Sequence, residues 1–367
     1  MSPIQVAVDA TPLLGPRTGI GGVVSALTNR MAVDPSIDLT GYVVSWRGRD
    51  YRTVLPDGCR PLRMRVPARV SHRIWRRLDV PRLRGHYDLV HGTNYVVPPN
   101  SAAASLVSVH DLTSWWYPDL VDSYSRANPE LLRRALNRGA HIQTGAKAVA
   151  EELLAELNID PERVHVVVNG FDRLDPGDGQ RGRAAVGGRY VLAIGTIEPR
   201  KDYVGLIEAM TEVWSRHPDV RLTIVGGDGW GVDGFEAAVS RANVADRVVR
   251  CGYVTEQAKA DLLAGAEMLA YPSLYEGFGL PVLEAMDAGL PVVSTQVPAI
   301  VEVAGDAAVL VPTRSPVALA EAIIRVLEDD GLRDELRRKG LARCEHFSWD
   351  TAASEFIELY HHLVSLR

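Results

Sequence analysis

The chain has 367 residues, 46% hydrophobic and 23% charged, with a formal net charge of −6. At roughly 100–200 residues per domain this length predicts two domains, each able to bury its own core, and the composition excludes a disordered or fibrous chain. Cys59, Cys251 and Cys344 stand far apart with no CxxC pair, which excludes a zinc site or a disulfide framework and predicts a reducing, cytoplasmic setting.

The net charge conceals an asymmetry. Residues 1–170 hold 20 Lys and Arg against 16 Asp and Glu, a net of +4, whereas residues 171–367 hold 20 against 30, a net of −10. Twelve arginines between Arg47 and Arg84 face only Asp50, Asp57 and Asp79. Such a stretch is either a solvated basic face or an attractor of anionic membrane or lipid phosphate. No run of about 18 apolar residues predicts a transmembrane helix. Met1–Gln5 has no basic segment of the secretory kind.

In chain order, Ile4–Val8 reads as a strand, Gly15–Gly22 as a glycine-rich turn, and Val23 to about Ala32 as a helix. Strands follow at Thr40–Ser45, Leu89–His91, Ser105–His110 and Val164–Val168. Asp172–Gly188, with Asp175-Pro-Gly-Asp-Gly inside it, is polar and turn-rich and predicts a linker. The rhythm then restarts: strand Tyr190–Ile194, turn Gly195–Asp202, helix Tyr203–Arg216, and strands Arg221–Val225, Val248–Cys251, Met268–Tyr271, Pro291–Ser294 and Ala308–Val311. Continuous Val/Ile/Leu runs alternating with helices predict parallel sheets covered on both faces. Trp349–Leu366 reads as an amphipathic helix capped by Ser348. The expected division is residues 1–172 and 189–348, with the 349–367 helix crossing back to the first domain.

Four segments carry chemistry. In Tyr271-Pro-Ser-Leu-Tyr-Glu276-Gly-Phe-Gly-Leu-Pro281-Val-Leu-Glu284 a strand ends, a glycine-rich turn follows, and Pro281 stands where a helix can begin. Gly277 and Gly279 allow close backbone approach, and free N–H groups at the helix start favour an anion. Glu276 in the loop and Glu284, placed in the first helical turn, either accept hydrogen bonds from sugar hydroxyls or merely cap the loop and helix. Gly195-Thr-Ile-Glu-Pro-Arg200-Lys201-Asp202 sets two cations after a strand, which suits a diphosphate or makes a solvated pair. Thr18-Gly-Ile-Gly21-Gly22 is a simple turn or an approach to a phosphate or acceptor. It lacks the GxGxxG spacing and has no acidic residue after strand two, which argues against a nicotinamide site. His110-Asp111 ends a strand, where ligands of doubly wound sheets bind; His91 does the same and reads as a structural residue.

Together these segments resemble the large retaining group known as family 4 glycosyltransferases. Glu276 through Glu284 looks like its E-x7-E signature and Gly195–Lys201 like its phosphate loop, and Val168-Asn-Gly-Phe-Asp172 also matches. The resemblance extends over nearly the whole chain. It implies the α/β GT-B fold, two Rossmann-like domains with the active site in a cleft between them. It further implies a nucleotide-diphosphate sugar donor (GDP-, dTDP- or UDP-linked), transferred with retention to a glycan, glycolipid or small-molecule acceptor, with no cofactor and no metal. Arg200 and Lys201 would hold the diphosphate. Glu276 would touch the sugar beside the Phe278, Gly279 and Leu280 backbone, Glu284 the ribose, and Tyr253 and Val254 the base. His110 would hydrogen-bond the sugar near the reacting centre, and Gly21 and Gly22 would line the donor. Thr196 stands where many relatives have arginine, a variant resembling bacterial enzymes that build polysaccharides with mannose or rhamnose. Gly22-Val23 replaces that group's Arg-Tyr. Two other readings are a sugar-nucleotide epimerase of similar architecture and a non-catalytic sugar-binding protein. No nucleic-acid module is recognised.

Overall fold

The computed structural model describes residues 2–15, 19–47, 50–100, 104–121 and 125–366. Pro16–Thr18 of the expected first turn and Arg49 of the basic stretch lie outside the described residues. The chain forms two compact units, one running to Gly170 and resuming at Ser348, the other spanning Phe171–Phe347.

The N-terminal unit holds seven parallel strands: β1 (Ile4–Asp9), β2 (Ile37–Val44), β3 (Arg60–Met64), β4 (Leu89–Gly92), β5 (Ala104–Ser108), β6 (His141–Thr144) and β7 (Val164–Val166). Their order is β3-β2-β1-β4-β5-β6-β7. Val6, Ala7 and Val8 of β1 are all fully buried, as a strand covered on both faces requires. Two strands had no apolar run to announce them. β3 is an edge strand carrying Arg60, Pro61 and Arg63, residues that an edge tolerates. β6 reads His-Ile-Gln-Thr, and its Gln143 and Thr144 are buried by hydrogen bonding rather than by hydrophobicity.

One expectation about this unit is corrected. The first helix runs Ile20–Met31, three residues earlier than its apolar pattern indicated, so Gly21 and Gly22 lie in its first turn and not in a loop. Gly19 just ahead has φ +51°, a left-handed conformation open to glycine, and this lets the chain enter the helix early. The C-terminal helix, Trp349–Ser365, packs against Ile20–Met31. Ser348 caps it by accepting from the Asp350 and Thr351 amides at 3.2 and 3.4 Å. Arg30 reaches Asp350 at 2.5 Å, and Phe356 and Tyr360 are buried in the core.

The C-terminal unit holds β8 (Tyr190–Ile194), β9 (Arg221–Val225), β10 (Val248–Gly252), β11 (Met268–Tyr271), β12 (Val292–Thr295) and β13 (Val309–Val311), parallel in the order β10-β9-β8-β11-β12-β13. The expected linker at 172–188 is corrected here. Its second half is a helix, Gly179–Val186, packed on the helix Glu256–Gly265. Asp178 caps it, accepting from the Gln180 and Arg181 amides at 2.9 and 3.2 Å. A Cβ on Gly182 would meet the Asp261 carbonyl oxygen at 2.1 Å, so this glycine serves close helix packing. The change of unit falls before Phe171, and the segment belongs to the second unit.

Candidate active site

In doubly wound sheets, ligands bind beyond the carboxyl ends of the strands where the strand order reverses. In the C-terminal unit that point lies between β8 and β11. Gly195 follows β8 with φ +145°, and a Cβ there would stand 2.9 Å from Lys201 Cε. The chain then makes a 3₁₀ turn, Pro199–Lys201, and Asp202 caps the helix Tyr203–Arg216 by accepting from the Gly205 amide at 3.2 Å. The Leu274 amide donates to the Arg200 carbonyl at 2.8 Å, tying this loop to the one after β11.

Glu276 is the hub of the site. Its Oε1 lies 2.6 Å from Lys201 Nζ and its Oε2 2.8 Å from Arg200 Nη1. Lys201 Nζ also donates to the Tyr271 hydroxyl at 2.7 Å, and Arg200 donates to the Tyr275 carbonyl at 2.8 Å and to Glu198 Oε1 at 2.6 Å. Lys201 and Glu276 are each 7% exposed. Burial alone would raise the Glu276 carboxyl pKa. The Arg200 charge, then the Lys201 charge and hydrogen bond, outweigh it and bring the pKa down to about 2. Lys201 is lowered from its ordinary value, by burial first and by the neighbouring Arg200 charge, with Glu276 opposing. Two carboxylates and two cations thus make a neutral, interlocked cluster in a place where an isolated charge would be expensive.

After Glu276 the backbone turns through Gly279, φ +109°, into the helix Leu280–Asp287. Among the described residues, the Phe278, Gly279 and Leu280 amides have no hydrogen-bond partner. They lie at a helix start that no side chain caps, an arrangement suited to an anion. A Cβ on Gly279 would meet Ile300 Cδ1 at 2.4 Å. Phe278 is buried edge-on against Phe347, with ring centroids 5.8 Å apart. Glu284 is the fifth helical residue, not one of the first turn, because the helix starts at Leu280; the helix dipole therefore does not account for it. It pairs with Lys259 at 2.9 Å. Tyr253 follows β10, is 69% exposed, and its ring lies over Gly227, where a Cβ would approach it to 2.3 Å. Val254 beside it is partly buried. The structure therefore gathers Arg200, Lys201 and Glu276 into one cluster, with Phe278–Leu280 next along the chain, and sets Glu284 in a separate ion pair.

Sequence reading overlooked three members of this site. Glu198 stood two positions before Arg200 in the same motif, a legible signal. Tyr271 ended a strand and was read only as its last apolar residue. Lys259 lies in a helix with nothing local to mark it. A groove of about 970 Å³ lies elsewhere in this unit; its described lining includes Glu208, Glu212, Glu321, Glu328, Asp329 and Asp330 against Arg216 and Arg325, the wrong sign for a diphosphate.

In the N-terminal unit, His110 stands two residues beyond β5 rather than at its end. Its Nε2–H donates to the Thr93 carbonyl at 2.8 Å, which leaves Nδ1 with a lone pair. Burial lowers its pKa, with Thr93 and the Asp111 charge opposing, so the ring is neutral at pH 7. His91 is a structural residue. Tyr360 OH lies 2.7 Å from its Nδ1 and Ser108 Oγ 2.8 Å from its Nε2; Ser108 in turn donates to Gln143 Oε1 at 2.6 Å. That last bond makes the Ser108 oxygen the acceptor toward His91, so the proton is on Nε2. Gly21 and Gly22 lie in a helix, Gly21 buried.

Two parallel sheets with the same core strand order, the second bearing a cluster of paired charges and unpartnered amides at its reversal point, define a protein of two Rossmann-like units with a candidate anion site in the second. Residues 24–173 match the model for Glycosyltransferase Family 4, and residues 180–343 that for Glycosyl transferases group 1. The chain is 30% identical to O-antigen chain mannosyltransferase B of Escherichia coli, over 76% of this chain and 75% of that one. It is 31% identical to D-inositol 3-phosphate glycosyltransferase of Salinispora arenicola, over 77% and 70%. The structure of sucrose-phosphate synthase from Thermosynechococcus elongatus superposes with a TM-score of 0.77 at 20% identity, over 99% of this chain and 100% of that one. The chain belongs to the family 4 glycosyltransferases.

Proposed function

We propose that the protein transfers a hexose, mannose or a close relative, from a nucleotide-diphosphate sugar to a glycan or lipid-linked acceptor with retention of anomeric configuration. The observation that carries this is Glu276 held between Arg200 and Lys201 at the strand reversal point, next to unpartnered amides at a helix start. The two cations and the Phe278–Leu280 amides supply positive potential for the leaving diphosphate, which removes the need for a metal. Glu276, ionised and fixed by two partners, keeps lone pairs for sugar hydroxyls. Glu284 exchanges its bond to Lys259 for one to ribose, and Tyr253 brackets the base. His110 offers its Nδ1 lone pair to a sugar hydroxyl. The leaving diphosphate itself accepts the acceptor's proton, which delivers the new bond from the face the old one left. The similarity to the mannosyltransferase of Escherichia coli supports mannose as donor sugar.

The experiment is a thermal-shift screen of GDP-, UDP- and dTDP-sugars. Saturation at 100 Kd stabilises the folded state by about 2.7 kcal/mol, a readable shift. One nucleotide series is expected to stabilise the wild type and not Lys201→Ala; stabilisation by none of them contradicts the reading.

The acceptor side has a second element. Arg69, Arg73 and Arg77 are exposed and make no ion pair among the described residues, beside Val70 and Leu78, 49% and 57% exposed. Arginines interleaved with apolar side chains suit an anionic bilayer. Among the described residues no helix is long and apolar enough to cross one. Binding to anionic vesicles at low salt, lost in Arg69→Glu/Arg73→Glu, is the expected result; no binding by the wild type contradicts it.

A further inference from the structure

The cluster at the β8/β11 reversal holds more negative charge than an anion site requires. Glu276 already spans both cations, with Lys201 Nζ at 2.6 Å and Arg200 Nη1 at 2.8 Å. Glu198 adds a second carboxylate, its Oε1 2.6 Å from Arg200 Nη2. The Glu198 side chain is only 10% exposed, so water and salt screen its charge poorly. That charge acts on the Tyr203 hydroxyl and on Lys201, whose pKa is lowered by burial first, with Glu276 and Glu198 opposing.

The backbone holds Glu198 in place. It is extended there, φ −131° and ψ 154°, ahead of the turn Pro199–Lys201, and the Glu198 carbonyl accepts the Lys201 amide at 3.0 Å. The loop after β9 clamps it from the other side. The Ile197 amide donates to the Gly227 carbonyl at 2.9 Å, and the Gly231 amide to the Ile197 carbonyl at 3.1 Å. A Cβ on Gly231 would stand 2.9 Å from the Glu198 Cα, a close approach that glycine permits. A carboxylate carried on a backbone fixed from both sides is a standing charge beside the two cations.

Such a charge treats the two forms of a sugar-nucleotide donor differently. The intact donor is a diphosphate diester, with a single charge on each phosphate. Once the sugar has left, the terminal phosphate gains a second ionisation at about pH 6. The spent nucleotide therefore carries the additional charge at neutral pH and is repelled more strongly. Through a medium between protein and water this amounts to about fivefold in affinity per ligand charge.

We propose that Glu198 is a counter-charge that discriminates the spent nucleoside diphosphate from the intact sugar nucleotide, weakening the first more than the second and so favouring product release. The proposal rests on the transferase reading for its two ligands.

Isothermal titration calorimetry of the full chain tests it, with GDP, UDP and dTDP and their hexose conjugates and no acceptor. The titrations are run on either side of the terminal phosphate's ionisation, at about pH 7.5 and about pH 5. Glu198→Gln keeps an acceptor oxygen for Arg200 and removes the charge; Glu198→Asp keeps the charge and shortens the reach. In Glu198→Gln the preference for the diphosphate over its sugar conjugate is expected to rise about fivefold at the higher pH and to match the wild type at the lower. Glu198→Asp is expected to keep the wild-type preference at both. An unchanged preference in Glu198→Gln, or a rise that persists undiminished at the lower pH, overturns the proposal. So does an equal or larger change in Glu198→Asp, which would show that Glu198 serves only to orient Arg200. Failure of the transferase reading looks different: neither the diphosphates nor their sugar conjugates bind the wild type.

Discussion

The two units have the same sheet core and put opposite chemistry at the same place. At the β8/β11 reversal the C-terminal unit has Glu198, Arg200, Lys201 and Glu276 interlocked by ion pairs of 2.6 to 2.8 Å. The N-terminal unit fills its interior, at the end of β4, with a neutral chain, Tyr360–His91–Ser108–Gln143. The difference teaches that strand order fixes where a ligand sits, while the charges of a few loop residues decide which ligand it is. A cluster of paired charges suits a diphosphate; a chain of neutral hydrogen bonds suits a closed interior.

The largest expected effects come from breaking the charged cluster. Lys201→Ala leaves Glu276 buried with one partner in place of two, so transfer should fall about 10²–10³-fold and stability by about 3 kcal/mol. Steady-state kinetics and urea titration read both. Glu276→Gln keeps the volume and removes the charge, so the cluster becomes cationic. The expected split is kcat reduced by at least about 100-fold with nucleoside diphosphate bound as tightly as before or tighter. Weaker diphosphate binding in that variant would place Glu276 outside the sugar contacts.

Gly279→Ala sharpens the same comparison at the backbone. Its φ of +109° strains any residue with a Cβ, and the 2.4 Å approach to Ile300 Cδ1 obliges that side chain to shift, so a loss of about 1–3 kcal/mol is expected, with a higher donor KM and an unchanged acceptor KM. Equal changes in both KM values would show that the turn does more than hold the donor.

The neutral side should declare itself through pH. His91 titrates at about 3, and His72 and His165 at about 4, all lowered by burial. Below the ordinary value of about 6.5 the unfolded chain takes up protons that the folded one refuses, so stability falls as pH drops. His91 alone contributes a loss of about 2 kcal/mol by pH 5. Asp9, raised by burial to about 6, acts in the opposite sense: the folded state holds its proton more tightly, and stability is recovered as pH falls from about 6 toward 3.8. Three histidines outweigh one aspartate, so the net slope is a loss. Glu276, lowered to about 2, adds to the loss only below the ordinary value of about 4.5, where the unfolded chain takes up a proton that the folded one refuses. The smallest effect is expected of Tyr360→Phe, which removes the hydroxyl donated to His91 Nδ1 and should cost about 1–2 kcal/mol without changing donor KM.

Much of this was legible in the sequence, and what was missed has a common cause. The apolar strands β8 and β9 were bounded correctly because both faces are buried and their residues say so. β3 and β6 were missed because an edge strand carries Arg and Pro, and a strand stabilised by a polar network carries Gln and Thr. The linker at 172–188 was misread because Asp178 and Gly182, a helix cap and a close-packing glycine, have the composition of a loop. At the site, the motif spacing named Arg200, Lys201 and Glu276. It gave no sign that they bind one another, because that contact joins residues 75 apart in the chain. The same limit hid Lys259 behind Glu284.

One measurement bears most directly on the central claim, transfer from a nucleotide sugar with retention: proton NMR of the first-formed product, using whichever α-linked nucleotide sugar stabilises the protein and a neutral glycoside acceptor. The account predicts an α-glycosidic anomeric signal that appears with wild type and is lost in Lys201→Ala. A β-linked product, or an α-product formed equally well without Lys201, would contradict it.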